Sequence, residues 1–163
     1  MGEEKTRGPV IVRNRDILVL ADISSVMQLV ESTERRLEWQ HDRMLSIRQH
    51  ISGMPGGGGL PKGLDDAFAK LAEVGEEYET QLRAYLRQIR EAQKILNGIE
   101  SRSMLAFVTL KYVKHASNAE VMRRMKMTEW GFNRGRRSIE EAQDMQHVKW
   151  RERYILGERE KNL

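Results

Sequence analysis

Cysteine is absent from the 163-residue chain. Without it the protein can form no disulfide, no thiolate metal site and no cysteine nucleophile. No set of a nucleophile and its base is recognisable, so we predict that the protein is not an enzyme and binds no cofactor. The histidines are scattered and no two stand at the spacing of metal ligands, so we expect no metal site. The four are His41, His50, His115 and His147.

Aromatic residues are scarce, at 6%, and the chain has three prolines. Low aromatic content together with 32% charged residues favours surface-rich helices over a thick sheet-based core. So few prolines leave room for long helices. No run of about 18 apolar residues occurs, so we expect no segment that spans a membrane.

Positive charge is concentrated in the C-terminal part of the chain. Residues 101–163 hold 14 Lys and Arg against 8 Asp and Glu, whereas residues 1–100 hold 14 against 16. Such a concentration in one segment indicates a polyanionic partner. The alternative is a basic face that is merely solvated.

The first long segment repeats its apolar residues every seven positions. This pattern predicts an amphipathic helix of roughly eight turns, capped at its start by Asp22 or Ser24. The apolar stripe consists of Ile23, Val30, Leu37, Met44 and Ile51, widened by Val26, Met27, Leu29 and Ile47. The helix should stop at residues 52–63, where four consecutive glycines and two prolines form a flexible connector.

The second long segment has two interleaved seven-residue periods, which together give the alternating spacing of a coiled-coil seam. One set is Leu64, Leu71, Tyr78, Tyr85, Ala92 and Ile99, and the other is Phe68, Gly75, Leu82, Ile89 and Leu96. Two such helices joined by a loop should fold back as an antiparallel hairpin or pair with another copy. A hairpin alone would leave apolar edges exposed, which favours a homo-oligomer.

The C-terminal segment predicts shorter helices. Ser117 with Glu120 forms a capping box, and Thr128 is a second helix cap just downstream. A short helix, about three turn residues and a further helix give the rhythm of a helix-turn-helix. We therefore predict an all-α fold in four parts: a flexible arm (1–21), a helical hairpin (22–100), a helix-turn-helix domain (101–145) and a basic tail or helix extension (146–163).

The glycines of "MKMTEWGFNRGRR" could belong to a phosphate-binding loop or to a helix. Projected at about 100° per residue, Phe132, Gly135 and Ile139 share one compact side, with Gly131 at its border. This register favours a helix in which glycine permits close approach of another helix. The opposite side holds Trp130, Arg134 and Arg137, with Asn133 on its flank.

That outward side has the chemistry of DNA recognition, because arginine can form bidentate hydrogen bonds with guanine and asparagine can form them with adenine. Recognition helices read bases mainly with their N-terminal residues. The base-side candidates are Glu129, Trp130, Asn133, Arg134 and Arg137. The candidates for phosphate contact are Lys126, Arg136, Arg123 and Arg124. The alternatives are a solvated basic helix of a bundle, and a Trp130 that packs on the coiled coil.

The stretch "MLAFVTLKYVKHASNAEVMRRMKMTEWGFNRGRRSIEEA" resembles the fourth region of bacterial sigma factors. The motif positions are Lys111-Tyr112, Ser117, Glu120-Val121 and Thr128. Over residues 23–142 the layout is similar to phage transcriptional regulators of the RinA/ArpU kind, in which a helical hairpin precedes a sigma-like helix-turn-helix. The departures are Met122 for a small Ala, Lys126 for the turn Gly, and glycines at 131 and 135.

The resemblance implies a phage or prophage regulator that binds double-stranded DNA in the cytoplasm of a bacterial host cell. Its hairpin would oligomerise or contact RNA polymerase. Two other functions stay open. A terminase small subunit also joins a DNA-binding helix-turn-helix to a helical oligomerisation region. A coiled-coil interaction protein would have a basic tail that binds nothing specific.

Overall fold

The structure, a computed structural model, describes residues 13–52 and 63–156. Every regular element in these two stretches is a helix, which confirms the predicted all-α fold. Most of the predicted Gly-rich connector lies outside the described residues. The elements are α1 (Asp16–Ser52), α2 (Leu64–Asn97), α3 (Arg102–Val108) with a π-helical turn (Thr109–Val113), α4 (Asn118–Met125), α5 (Glu129–Glu140), a 3-10 turn (Met145–His147) and α6 (Arg153–Leu156).

The chain divides into two compact units. One, here called the hairpin unit, is Ser25–Arg90. The other, here called the C-terminal unit, joins the described residues up to Ser24 with those from Glu91 onward. The first turns of α1 and the last turns of α2 therefore belong with the shorter helices.

In the hairpin unit α1 and α2 pack against each other as the predicted antiparallel hairpin. The Gln40 side-chain amide donates to the Leu71 carbonyl, and the Arg36 guanidinium lies 5.9 Å from the centre of the Tyr78 ring. The earlier residue of α1 thus contacts the later residue of α2, as expected for antiparallel helices. Within this unit every member of the predicted α2 seam whose side chain is described is half-buried, so the heptad prediction is confirmed there, whereas the last predicted member, Ile99, lies beyond the end of α2.

The seam of α1 is partly different from the one predicted. Met27 and Leu29 are exposed, so their assignment to the apolar stripe was wrong. The second row runs instead every seventh residue from Val26 through two polar residues, Thr33 and Gln40, both of which are buried. Thr33 satisfies its hydroxyl by donating to the Leu29 carbonyl at 2.7 Å. A search for apolar residues at a fixed spacing does not predict the burial of these two positions, because both side chains are polar.

In the C-terminal unit a core of large side chains is almost completely shielded from solvent. Phe107 stacks at a tilt against Phe132, with ring centres 5.5 Å apart. Four other side chains of this unit are also less than 2% exposed: Leu20, Val108, Val121 and Ile139. Burial of side chains of this size stabilises a fold by about 1.5–3 kcal/mol each.

Helix α1 begins at Asp16, six residues before the earlier of the two predicted caps. Asn14 is buried, and its side-chain oxygen accepts from the Asp16 backbone N–H at 3.0 Å. Its amide nitrogen donates to the Ile139 carbonyl at 3.0 Å, and the Asp16 carboxylate accepts from the Met145 N–H at 2.8 Å. These partners are more than a hundred residues away, so no local pattern signals them. Of the predicted arm, residues 16–21 therefore lie in α1, and Asn14 is held by these bonds.

Candidate nucleic-acid interface

The short helices α4 and α5 both begin with the caps expected from the sequence. The Ser117 hydroxyl accepts from the Glu120 N–H at 3.2 Å, and the Thr128 hydroxyl accepts from the Gly131 N–H at 3.1 Å. A hydroxyl at this position satisfies one of the free N–H groups of the first turn. The Glu120 side chain pairs with Arg124 at 2.6 Å.

The turn between α4 and α5 depends on Lys126, which ends α4 in the left-handed conformation with φ of 54°. Its N–H and that of Met127 bond back to carbonyls of α4, at Arg123 and Met122 respectively. A side chain in this conformation is strained by about 1–2 kcal/mol, which glycine would avoid. The chain thus keeps a lysine at the position where the resemblance leads one to expect glycine.

Helix α5 shows the two faces predicted from its sequence. Gly131, Phe132, Gly135 and Ile139 are buried, so the glycines lie in a helix on its core side and do not form a phosphate loop. The opposite side is open to solvent. Trp130 remains 38% exposed even though the edge of its ring faces Tyr154, with ring centres 6.4 Å apart.

Eight of the nine predicted site residues are exposed. They are Arg123, Arg124, Lys126, Glu129, Trp130, Asn133, Arg134 and Arg137. The ninth, Arg136, is half-buried. Its Nε atom is shielded from solvent without a hydrogen-bond partner among the described residues and lies 3.8 Å from the Glu140 carboxylate. Arg136 is therefore less suited to a phosphate contact than the other eight.

Tyr112, which lies near Arg136, belongs to the core and not to a polar site. Burial raises the pKa of the Tyr112 hydroxyl, and the nearby Glu140 carboxylate raises it further, while Arg136 opposes the change. Tyr112 consequently stays neutral. Its ring meets Phe107 edge to face, with centres 6.5 Å apart.

The predicted basic tail or helix extension (146–163) is described as far as residue 156, and this part packs against α5. We call residues 148–156 the C-terminal segment. A methyl group at Gly131 would overlap the backbone oxygen of Tyr154 and come 3.1 Å from its carbonyl carbon. A methyl group at Gly135 would come 3.1 Å from the Trp150 ring. The prediction was the close approach of another helix: Gly131 does lie against α6, at Tyr154, but the neighbour of Gly135 is the Trp150 ring, which precedes that helix.

Alternate residues of the C-terminal segment hold it in place. The Trp150 ring packs on Phe107 with centres 5.3 Å apart, and its Nε1 donates to the Ser103 hydroxyl at 2.7 Å. Glu152 accepts from the Ser101 hydroxyl at 2.7 Å. Tyr154 is buried, and its ring meets the Trp150 ring nearly at right angles.

A cleft of about 230 Å³ lies between α5 and the C-terminal segment. Trp130 and Tyr154 contribute to its walls, and in the described part of the chain Glu141 is the one carboxylate that lines it. Five basic residues complete the lining: Arg134, Arg137, Lys149, Arg151 and Arg153. The structure therefore brings three predicted site residues, Trp130, Arg134 and Arg137, into one cleft. The other six do not line it.

Sequence reasoning missed the basic residues of the C-terminal segment as site residues. The signal was present in "KWRERY", where basic residues alternate with aromatic and acidic ones from Lys149 to Tyr154. Trp150 is half-buried and Tyr154 is buried, while the basic residues beside them, Lys149, Arg151 and Arg153, line the cleft.

Within residues 13–52 and 63–156, no three His, Asp or Glu side chains are grouped so that they could hold a metal ion. In the same two stretches no helix is both long and apolar enough to cross a membrane.

A protein-family model described as "Protein of unknown function (DUF1492)" matches residues 45–144, which is more than half of the chain. The match runs from within α1 to just beyond α5 and ends before the C-terminal segment. No curated protein and no solved structure matches the chain.

Proposed function

The chain belongs to the DUF1492 family, and from that premise we propose that it is a sequence-specific DNA-binding regulator of transcription, encoded by a phage or prophage. In this proposal α4, the turn at Lys126 and α5 are a helix-turn-helix of the kind found in the fourth region of sigma factors. Helix α5 enters the major groove of double-stranded DNA.

The observation behind the proposal is the exposed basic face of α5. A short helix with a hydroxyl cap, held by a buried Phe132 on one side, presents Asn133, Arg134 and Arg137 to solvent on the other. A rigid helix that offers asparagine and arginine is matched to the hydrogen-bonding edges of adenine and guanine.

The exposed residues divide into two roles. Asn133 and Arg134, in the first half of α5, are placed to contact base edges, with Arg137 one turn further on. Arg123, Arg124 and Lys126 flank the turn and are suited to the phosphates at the rim of the groove. Glu129 and Trp130 lie at the entry of α5 and select the bases or sugars near that end.

The hairpin unit is proposed to join copies of the chain or to contact RNA polymerase in the cytoplasm of a bacterial host. Several of its large apolar side chains are exposed, among them Trp39, which is 60% exposed. The others are Met27, Leu29, Leu45, Val74 and Leu86. Burial of such side chains against another protein surface is energetically favourable.

The test is selection of bound sites from random double-stranded DNA, followed by affinity measurements on the selected duplex. The variant Arg134→Ala with Arg137→Ala should lose at least about tenfold in affinity, since one paired arginine–guanine contact contributes about 1–3 kcal/mol. The control, Arg87→Ala with Arg90→Ala, removes the same charge from exposed positions of α2 and should bind normally. Equal affinity of both variants, or no enriched site, would overturn the proposal.

A further inference from the structure

The cleft between α5 and the C-terminal segment has a built architecture. The Trp150 ring packs on Phe107, Tyr154 is buried, and the Ser138 hydroxyl donates to the Lys149 carbonyl at 2.8 Å. This bond ties the start of the segment to α5 itself. The exposed side chains of Lys149 and Arg151 therefore project from a backbone that is anchored on both sides of them.

The charge of the cleft selects its ligand class. Among the described residues, its lining has five basic side chains and one carboxylate, that of Glu141. The Glu141 carboxylate lies 3.8 Å from the Nε of Arg137. Because both side chains are exposed, this ion pair is weak. A concave surface lined by one sign of charge concentrates the potential and attracts ions of the other sign. Phosphate oxygens are the anions that several arginines and a lysine bind best together.

The position of the cleft points to DNA as the source of that phosphate. Arg134 and Arg137 belong both to the cleft and to the exposed face of α5. A duplex that receives α5 in its major groove brings the bordering sugar–phosphate backbone to the side of the helix. The C-terminal segment is packed along that side, at Gly131 and Gly135.

We propose that the C-terminal segment forms the second wall of a phosphate-binding cleft that grips the DNA backbone beside the groove occupied by α5. Lys149 and Arg151 bind the phosphates from one side, and Arg134 and Arg137 close the cleft from the other. This inference rests on the proposed function. It assigns a DNA-binding role to a segment that lies beyond the residues matched by the family model.

The test compares two double variants of the full chain with the wild type. Lys149→Ala with Arg151→Ala removes the new wall, and Arg87→Ala with Arg90→Ala is the charge-matched control on α2. Binding to a random-sequence duplex of about 30 base pairs and to the selected duplex is followed by fluorescence anisotropy between about 50 and 200 mM salt. Thermal unfolding verifies that the exposed substitutions leave the fold intact.

We expect the cleft variant to bind both duplexes about tenfold more weakly, and to the same extent, because phosphates have no sequence. The slope of log affinity against log salt should fall by about 2, since each lost phosphate contact lowers it by about 0.9. The control should change neither quantity.

Three results would overturn the inference. Wild-type affinity and slope for the cleft variant, together with loss of binding in Arg134→Ala with Arg137→Ala, would refute the cleft and leave the proposed function standing. Loss of binding to the selected duplex alone would show that the segment reads bases and does not grip phosphate. Wild-type binding by all the variants would refute the cleft and the proposed function together.

Discussion

The hairpin unit and the C-terminal unit bury their side chains to different degrees. Within the described residues of the hairpin unit, three side chains are buried, and two of them, Thr33 and Gln40, are polar. In the C-terminal unit, Phe107, Phe132 and several other large side chains are almost completely shielded from solvent. A two-helix seam can cover only one side of each residue, whereas several short helices at different angles surround a common centre. We infer that the C-terminal unit is the rigid support of the proposed site.

The largest effect should come from emptying the core of the C-terminal unit. Phe132→Ala removes a ring that is 2% exposed and should lower the free energy of unfolding of this unit by about 3–5 kcal/mol. The matched change in the hairpin unit, Leu82→Ala at a half-buried seam position, should cost about 1 kcal/mol. Residue-resolved amide exchange measures both, and equal losses would contradict the difference drawn between the units.

Two helical glycines provide the second comparison. Gly131→Ala places a methyl group against the Tyr154 backbone, which moves only if the C-terminal segment detaches. The expected cost is about 2 kcal/mol, with faster exchange of residues 150–156. Gly75→Ala also creates a close contact, 2.6 Å from the Gln40 amide nitrogen. That atom ends a flexible side chain.

Gly75→Ala should therefore change stability by less than about 1 kcal/mol, because the lost hydrogen bond to Leu71 is offset by the better helix propensity of alanine. Denaturant unfolding of the two variants under identical conditions gives the difference. If Gly75→Ala were the more destabilising of the two, the anchoring role of the C-terminal segment would be in doubt.

The smallest effect is expected at the turn. Lys126→Gly removes the strain of the left-handed lysine and should raise the free energy of unfolding by about 0.5–1 kcal/mol. The same change should weaken DNA binding, because a phosphate contact is lost. Lys126→Ala is the control, since it loses the charge and keeps the strain. A stabilised Lys126→Gly protein with undiminished affinity would remove Lys126 from the DNA interface.

The features that could be predicted from the sequence depend on the spacing of residues that are close together in the chain. The seam of α2 is visible from its heptads, the caps Ser117 and Thr128 from their positions before apolar runs, and the buried side of α5 from its helical register. Each of these depends on residues within about two turns of one another.

The features that escaped prediction depend on distant partners or on polar burial. Asn14 bonds to Ile139, and Trp150 packs on Phe107 and against Gly135, across separations that no period connects. Gln40 is buried because Gly75 leaves room for its amide across the seam. The second wall of the cleft belongs to this group, since Lys149 and Arg151 become site residues only once Trp150 is anchored.

The most direct test of the proposed DNA interface is a map of amide chemical-shift changes when double-stranded DNA is added to the isotope-labelled protein. The account predicts that the changes fall on the turn and α5, at residues 126–137, and on the C-terminal segment around Lys149 and Arg151. It predicts no comparable changes in α2 between residues 64 and 90. Changes confined to the hairpin unit, or none at DNA concentrations that saturate an ordinary helix-turn-helix protein, would contradict it.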